Sequence, residues 1–544
     1  MVAGRHDDWH GGGTVTDLQG FDSPAPLLPE VLAMNARWLP GRPAVIFGEK
    51  VLDWPEFFRR TCQVANGLAA MGLERGDRVA VLMSNSDDMV VAMFGAVVGG
   101  FVAVPLNTMV ADLGLVAMIN DAGARVVITS DDHAPRLDAE RIQMASVLAE
   151  GWFTTGAARD GWRDFAGWRA SQDNTDPAVL LRDDDACNII YSSGTTGQPK
   201  GIVHTHRRRL DWFYDLALAL RYDRAAVNLC AIGLFSNISW VGMGISLLVG
   251  GTVVVMPAFD AAAWLQAVER HGVTHSAMVP LQFQRIVDEP AFADHDLSSI
   301  KSLMCCGSPL PPTLKLEVMD RLAPQLIELY GLTEGVITTL EPEQARERPD
   351  SVGKPLMGVD LLILDDNDRP CEPGQPGEIV GRCRHLMAGY HERPDASLEA
   401  RWVDQAGRHW LRTGDIGRID EQGYLYLVDR KKDLLISGGQ NVYPADIEHV
   451  MLGHPAVGEV AVVGIPCPRW GETPLALVVA NDEPAQAHAL RDWTNTRVGK
   501  HQRLAGVELI DALPRNANGK VLKRELRDRY RHWLGQADHH EEQT

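Results

Sequence analysis

Residues 191–201 read Tyr191-Ser-Ser-Gly-Thr-Thr-Gly-Gln-Pro-Lys-Gly201. An apolar run at 186–190 leads into this stretch, and another at 202–206 leads away from it. Gly194, Gly197 and Gly201 let the backbone take positive φ and approach a ligand closely. Ser192, Ser193, Thr195 and Thr196 supply hydroxyls, and Lys200 supplies a positive point charge. Successive amides and hydroxyls in such a turn form an anion nest, and the lysine completes a cradle for polyphosphate. The pattern is not a Walker loop, because G-x-x-x-x-G-K-[ST] is absent.

Outward from this loop, strand-like and helix-like stretches alternate. Helical patterns at 57–71, 87–98 and 111–122 are interleaved with apolar runs at 78–83, 101–104 and 125–129. The alternation resumes at 252–256, 261–270 and 275–279, and again at 302–306, 312–322 and 325–330. This is βαβ grammar, and it predicts a largely parallel sheet covered on both faces. After residue 353, turns such as Glu372-Pro-Gly374 and Gln375-Pro-Gly377 separate short β runs. The expected fold class is therefore α/β. A large N-terminal body, 1–428, is built of βαβ subdomains, with a small β-rich lobe at 350–428. The charged segment Asp429-Arg-Lys-Lys-Asp433 reads as a linker, and 434–544 as a mobile α+β C-terminal domain.

Composition narrows the function classes. The chain has 544 residues, 45% hydrophobic and 23% charged, which excludes disorder, collagen and coiled coil. Lys and Arg number 52 against 72 Asp and Glu, a net charge of −20 that argues against a dedicated nucleic-acid or anionic-membrane binder. Eight scattered cysteines with no C-x-x-C pair read as reduced core thiols of a cytoplasmic protein. Residues 1–20 lack the pattern of a signal peptide, and 538–544 carry no lipidation or peroxisomal ending. The stretch 225–259 has no charged residue, but Ser236, Asn237, Ser239 and Gly250-Gly251 break it into strand, helix and strand. No membrane span is expected there, nor in the similar block 89–106.

With these residues in view, the loop at 191–201 resembles the phosphate-loop signature of the adenylate-forming superfamily, which includes acyl-CoA synthetases. Further motifs follow in the family's order. Cys306-Gly-Ser-Pro-Leu310 resembles the adenine-side turn, and Tyr330-Gly-Leu-Thr-Glu334 the second signature. Arg412-Thr-Gly-Asp415 resembles the ribose motif, and 429–433 with 436–444 the hinge. Pro514-Arg-Asn-Ala-Asn-Gly-Lys520 resembles the catalytic-lysine loop.

The resemblance implies a two-step reaction. A carboxylate attacks the α-phosphate of ATP, and a thiol then attacks the acyl-adenylate. It implies that Lys520 bridges carboxylate and α-phosphate, and that Glu334 holds Mg²⁺, with Thr196 a further candidate ligand. Thr333 would donate to the α-phosphate, Tyr330 would stack on adenine, and Asp415 would accept from the ribose hydroxyls. Arg430, Gly307, Ser308, Pro309 and Gly331 complete the implied ATP site with Ser192, Ser193, Gly194, Thr195, Thr196, Gly197 and Lys200. Lys432 would be the pivot of a domain rotation, and Gly438 and Gly439 would admit the pantetheine arm of coenzyme A. Trp470-Gly-Glu472, His204 and His206 are given structural roles.

The run Gly233-Leu-Phe-Ser-Asn-Ile-Ser-Trp240 departs from the family pattern. Ser236 stands where amino-acid-activating relatives carry an aspartate, so amino acid substrates are disfavoured. Pocket walls are expected at Phe235, Ser236, Asn237, Trp240, Gly307, Gly331 and Val336, and their character suggests a hydrophobic fatty, alicyclic or aromatic acid. The expected function is an acid–CoA ligase using ATP, Mg²⁺ and coenzyme A. A luciferase-like or fatty acyl-AMP-forming enzyme and a non-catalytic nucleotide binder are the alternatives. The expected partners are small molecules; a homodimer is left open.

Overall fold

The structure is a computed structural model that describes residues 25–192, 200–431, 433–437, 440–481, 486–515 and 519–534. Several expectations fall outside the described residues: Ser193, Gly194, Thr195, Thr196, Gly197, Lys432, Gly438, Gly439, both chain ends, and the side chain of Ser192.

The uncharged stretch 225–259 folds as its punctuation dictates. The strand Val227–Cys230 is followed by the helix Asn237–Val249 and the strand Thr252–Val255. The Ser236 hydroxyl caps the helix by accepting from the Ser239 N–H at 3.2 Å, and Gly250 ends it in the left-handed region at φ 78°. The three β-branched valines after Thr252 suit a strand buried on both faces. Among the described residues no helix is long and apolar enough to cross a membrane.

These elements belong to a nine-stranded sheet whose central strands run parallel. An eight-stranded sheet carries the phosphate-loop hairpin, Ala186–Ser192 with Lys200–Thr205, beside the parallel strands Val102–Pro105 and Arg78–Leu82. One apolar core joins the two sheets: Val79, Val81 and Ala103 from one, Val45, Val253 and Val255 from the other. Helices lie between them, and Trp54, Phe57, Phe94 and Trp240 form a run of ring contacts at 6.1, 6.3 and 5.5 Å. Each such fully buried side chain contributes roughly 1.5–3 kcal/mol. Five of the eight free cysteines are buried here and nearby, and burial pushes the Cys187 and Cys230 thiols up to about 12.

A third, antiparallel sheet holds Asp360–Leu364, Gly377–Arg382, Arg401–Val403, His409–Ile419 and Leu425–Arg430. A fourth sheet, led by the long hairpin Val457–Cys467 and Gly471–Ala480, packs with the helices Pro444–Leu452 and Lys523–Tyr530. The molecule is thus α/β, with a large N-terminal body and a smaller C-terminal domain. The strand expected at 275–279 stops at Met278, because Pro280 starts a helix and Val279 becomes its N-cap.

Candidate active site

Ser302–Cys305 and Leu326–Gly331 are parallel neighbours; Cys305 pairs with Glu328, and the second strand runs on to Gly331. Glu328 links the two: its carboxylate accepts from the Leu310 N–H at 3.3 Å and lies 2.5 Å from the buried Lys315 ammonium. The turn after Cys306 leaves Gly307 and Pro309 exposed and Ser308 half-buried, at the carboxyl ends of parallel strands where ligands of open α/β sheets bind. A side chain built on Gly307 would come within 3.3 Å of Ile238 and Val279. A Cβ at Gly519, the residue before Lys520, would lie 4.0 Å from the same Val279. The turn at 306–310 and the turn before Lys520 therefore share one neighbour on the body.

Asp415 and Arg430 are cross-strand partners, and Arg430 Nε lies 3.0 Å from Asp415 Oδ1. The Tyr330 hydroxyl donates to Asp415 Oδ2 at 2.8 Å. Burial and the Asp415 charge raise the Tyr330 phenol pKa, which keeps it a donor. Tyr330 and Arg430 thus hold Asp415 between them, one by a hydrogen bond and the other by an ion pair.

Glu334 sits in the hairpin after Tyr330. Its Oε1 accepts from the Tyr390 hydroxyl at 2.9 Å, and its carbonyl accepts from the Met387 N–H at 2.7 Å. Burial holds its carboxyl above the ordinary glutamate range. Gly335 follows at φ 122°, where a Cβ would stand 2.9 Å from the His385 carbonyl oxygen, so the segment at 385–390 lies directly on this turn. Thr333 is held from below: its carbonyl faces His204 Nε2 at 2.8 Å. A carbonyl only accepts, so Nε2 carries the proton, and burial keeps the imidazole neutral by pushing its pKa well below the usual range.

These contacts set the comparisons in context. A family model described as AMP-binding enzyme matches residues 32–391, and one described as AMP-binding enzyme C-terminal domain matches residues 446–520. The chain belongs to the AMP-binding enzyme family. The enzyme is 36% identical over 505 residues to a feruloyl-CoA synthase of Amycolatopsis sp, covering 91% of this chain and 97% of that one. It is also 36% identical over 475 residues to a long-chain-fatty-acid–CoA ligase of Mycobacterium tuberculosis, covering 86% and 90%. The o-succinylbenzoate CoA synthetase of Bacillus subtilis, solved with its acyl-adenylate, superposes with a TM-score of 0.81 at 30% identity, covering 92% and 98%. These relatives are acid–thiol ligases, and the enzyme is a member of that adenylate-forming ligase family.

The structure brings together Tyr330, Gly331, Thr333, Glu334, Asp415 and Arg430, and gives Gly519 and Gly307 a shared neighbour in Val279. Lys200 lies beside them, its ammonium 5.2 Å from the Tyr390 ring centroid. Phe235 lines a groove of about 200 Å³ with Asn85, Gly233 and Phe259. Ser236 is engaged as a helix cap, and the Asn237 Oδ1 atom is buried without a hydrogen bond among the described residues. Val336 is buried in the core beneath the signature hairpin. Trp240 is fully buried, its ring 5.5 Å from Phe94 and 5.9 Å from the Arg209 guanidinium. Arg209 is itself enclosed, with Nε 3.0 Å from Asn188 Oδ1, and burial pushes its pKa down to about 9.

Sequence reasoning missed Tyr390, Met387 and Arg208. Arg208 donates to the Leu386 carbonyl at 2.6 Å and to that of Met387. The Gly389-Tyr390 dipeptide, a short strand paired with Ile202 and Val203, was the signal available.

Proposed function

We propose that the enzyme is an ATP-dependent carboxylic acid–CoA ligase acting on a hydrophobic fatty, alicyclic or aromatic acid. The reading rests above all on Val279, which faces both Gly307 and the turn carrying Lys520. That shared neighbour supports a reading in which Lys520, a long cation, reaches the point where the two anions meet. In the first step an acid oxygen attacks the α-phosphorus, an O–P bond forms, and pyrophosphate leaves. Both reactants are negative, so preorganised positive charge lowers the barrier. Lys520 supplies it at the α-phosphate, and Lys200 and the amides of the phosphate loop supply it along the polyphosphate. Asp415, steadied by Tyr330 and Arg430, takes the ribose hydroxyls.

Glu334 fits Mg²⁺. Among the described residues no cluster of three or more His, Cys, Asp or Glu is placed to hold a metal, but Mg²⁺ needs only one carboxylate when phosphates and waters complete its shell. Burial disfavours the Glu334 charge, which a cation would relieve. When bound, the ion would neutralise charge on the phosphates.

In the second step the coenzyme A sulfur attacks the acyl carbon, the carbon–oxygen bond to phosphate breaks, and AMP leaves. Lys520 must withdraw to admit the thiol arm past Gly438 and Gly439, with rotation at Lys432. The acid class is supported by the names of two relatives, one acting on ferulate and one on long-chain fatty acids. The half-buried ring of Phe235 and the uncharged helix Asn237–Val249 suit such acids. The reaction is assigned to the cytoplasm. The test is a pyrophosphate-release screen over carboxylic acids of graded size, with and without coenzyme A. Hydrophobic acids should drive release, and AMP should appear only with the thiol. ATP left untouched with every acid, or AMP release indifferent to coenzyme A, would overturn the assignment.

A further inference from the structure

We infer that Tyr390 is a positioning residue whose two ends tie the Glu334 carboxylate to the phosphate-loop lysine. The inference rests on the nucleotide-site reading of Glu334 and Lys200.

The side chain meets both groups. Its hydroxyl donates to Glu334 Oε1 at 2.9 Å, and the Lys200 ammonium lies 5.2 Å from its ring centroid. The first contact fixes the plane of a carboxylate that sits at the end of a flexible side chain. The second holds an ammonium by cation–π attraction, which orients it without using up its hydrogen-bond donors. One side chain thereby sets the spacing between an anion meant for a metal and a cation meant for phosphate.

The backbone of Tyr390 is in turn fixed from several directions. It pairs with Ile202, two residues beyond Lys200. Its N–H donates to Ser397 Oγ at 2.9 Å. Upstream, the Met387 N–H holds the Glu334 carbonyl at 2.7 Å. Downstream, Arg393 meets Asp121 at 2.7 Å, and Asp121 also accepts from the Tyr191 hydroxyl at 2.7 Å, which closes the link to the strand before the phosphate loop. The backbone that carries the ring is thus tied to both the signature hairpin and the phosphate-loop strand.

The two ends are separable by mutation. Tyr390→Phe deletes the hydroxyl and keeps the ring; Tyr390→Leu deletes both. Affinity of the full chain for ATP would be measured by titration calorimetry, once with Mg²⁺ and once with the metal chelated. For Tyr390→Phe, the gain in affinity that Mg²⁺ brings should shrink by about 10-fold, the usual cost of losing a partner that orients a metal ligand. Its metal-free affinity should stay within about 2-fold, because the ring still faces Lys200. Raised Mg²⁺ should restore its adenylation rate. Tyr390→Leu should lose metal-free affinity as well, and Mg²⁺ should not restore it. If Tyr390→Leu fails to fold, Tyr390→Phe decides alone. A Tyr390→Phe chain whose Mg²⁺-dependent gain equals that of wild type would overturn the inference, as would equal losses with and without metal. Wild-type protein that binds no ATP would overturn the nucleotide-site reading first, and this inference with it.

Discussion

Lys431 and Asp433 stand two positions apart and are anchored to different parts of the chain. Lys431 Nζ lies 2.9 Å from Glu378 Oε2 in the antiparallel lobe, and its N–H donates to the Gly414 carbonyl at 3.0 Å. Asp433 lies 3.6 Å from Arg527 on the helix Lys523–Tyr530. Glu378 is nearly buried and also holds Arg412 at 2.7 Å, so the lobe side of this junction is firmly tied. The rotation proposed above for the C-terminal domain would fall between these two anchors, at Lys432.

Proline there should divide the two half-reactions. It locks φ and removes a donor. In Lys432→Pro, first-turnover pyrophosphate release should stay within about 3-fold while coenzyme A-dependent turnover falls at least about 100-fold, as expected when a domain motion is frozen. Rapid-quench assays of both steps check this; equal losses in both would show that the joint lies elsewhere.

Lys520→Ala should act on the other half. Removing one preorganised charge contact should slow adenylation by about 10²–10³-fold. Thioester formation from a synthetic acyl-adenylate should stay within about 3-fold if, as proposed, the lysine has no part in that transition state. A loss under tenfold in the first step would remove Lys520 from the chemistry.

Glu334 carries a stability cost that depends on pH. Burial raises its pKa in the folded chain, so its favourable contribution is present in full below the ordinary glutamate range and is lost as the pH rises through the raised value. Ionising the buried carboxylate weakens the ligand-free fold. Glu334→Gln removes the charge and keeps an oxygen for the Tyr390 hydroxyl. The variant should melt above wild type at neutral pH, and the margin should vanish below about pH 4. Adenylation should be lost throughout. A variant that melts below wild type at neutral pH would contradict this account.

The Lys315–Glu328 pair offers a purely structural test. Both side chains are almost wholly enclosed, at 2% and 5% exposure. Lys315→Met strands a carboxylate in the interior and should cost about 3–5 kcal/mol. Adding Glu328→Gln, which still accepts from the Leu310 N–H, should recover most of that loss. Chemical denaturation of the two variants measures it.

How far the sequence could be read depended on distance along the chain. The phosphate-loop hairpin, the break-up of the uncharged stretch and the Asp415–Arg430 neighbourhood follow from local punctuation and motif order. The Glu334–Tyr390 bond joins residues 56 apart, and the His204–Thr333 bond residues 129 apart. No local period encodes such pairings, so His204 was legible only as a buried histidine. Trp240 shows a different limit. Its helix is uncharged on every side, and without a polar face the sequence does not say which residues look toward a cavity and which toward Phe94 and Arg209.

The close approach of Gly519 to Val279 has a kinetic consequence. If that turn covers the proposed nucleotide site, ATP can enter only once the C-terminal portion swings aside. Uptake then proceeds in two stages, and its observed rate should level off at high ATP, at the frequency with which the doorway opens.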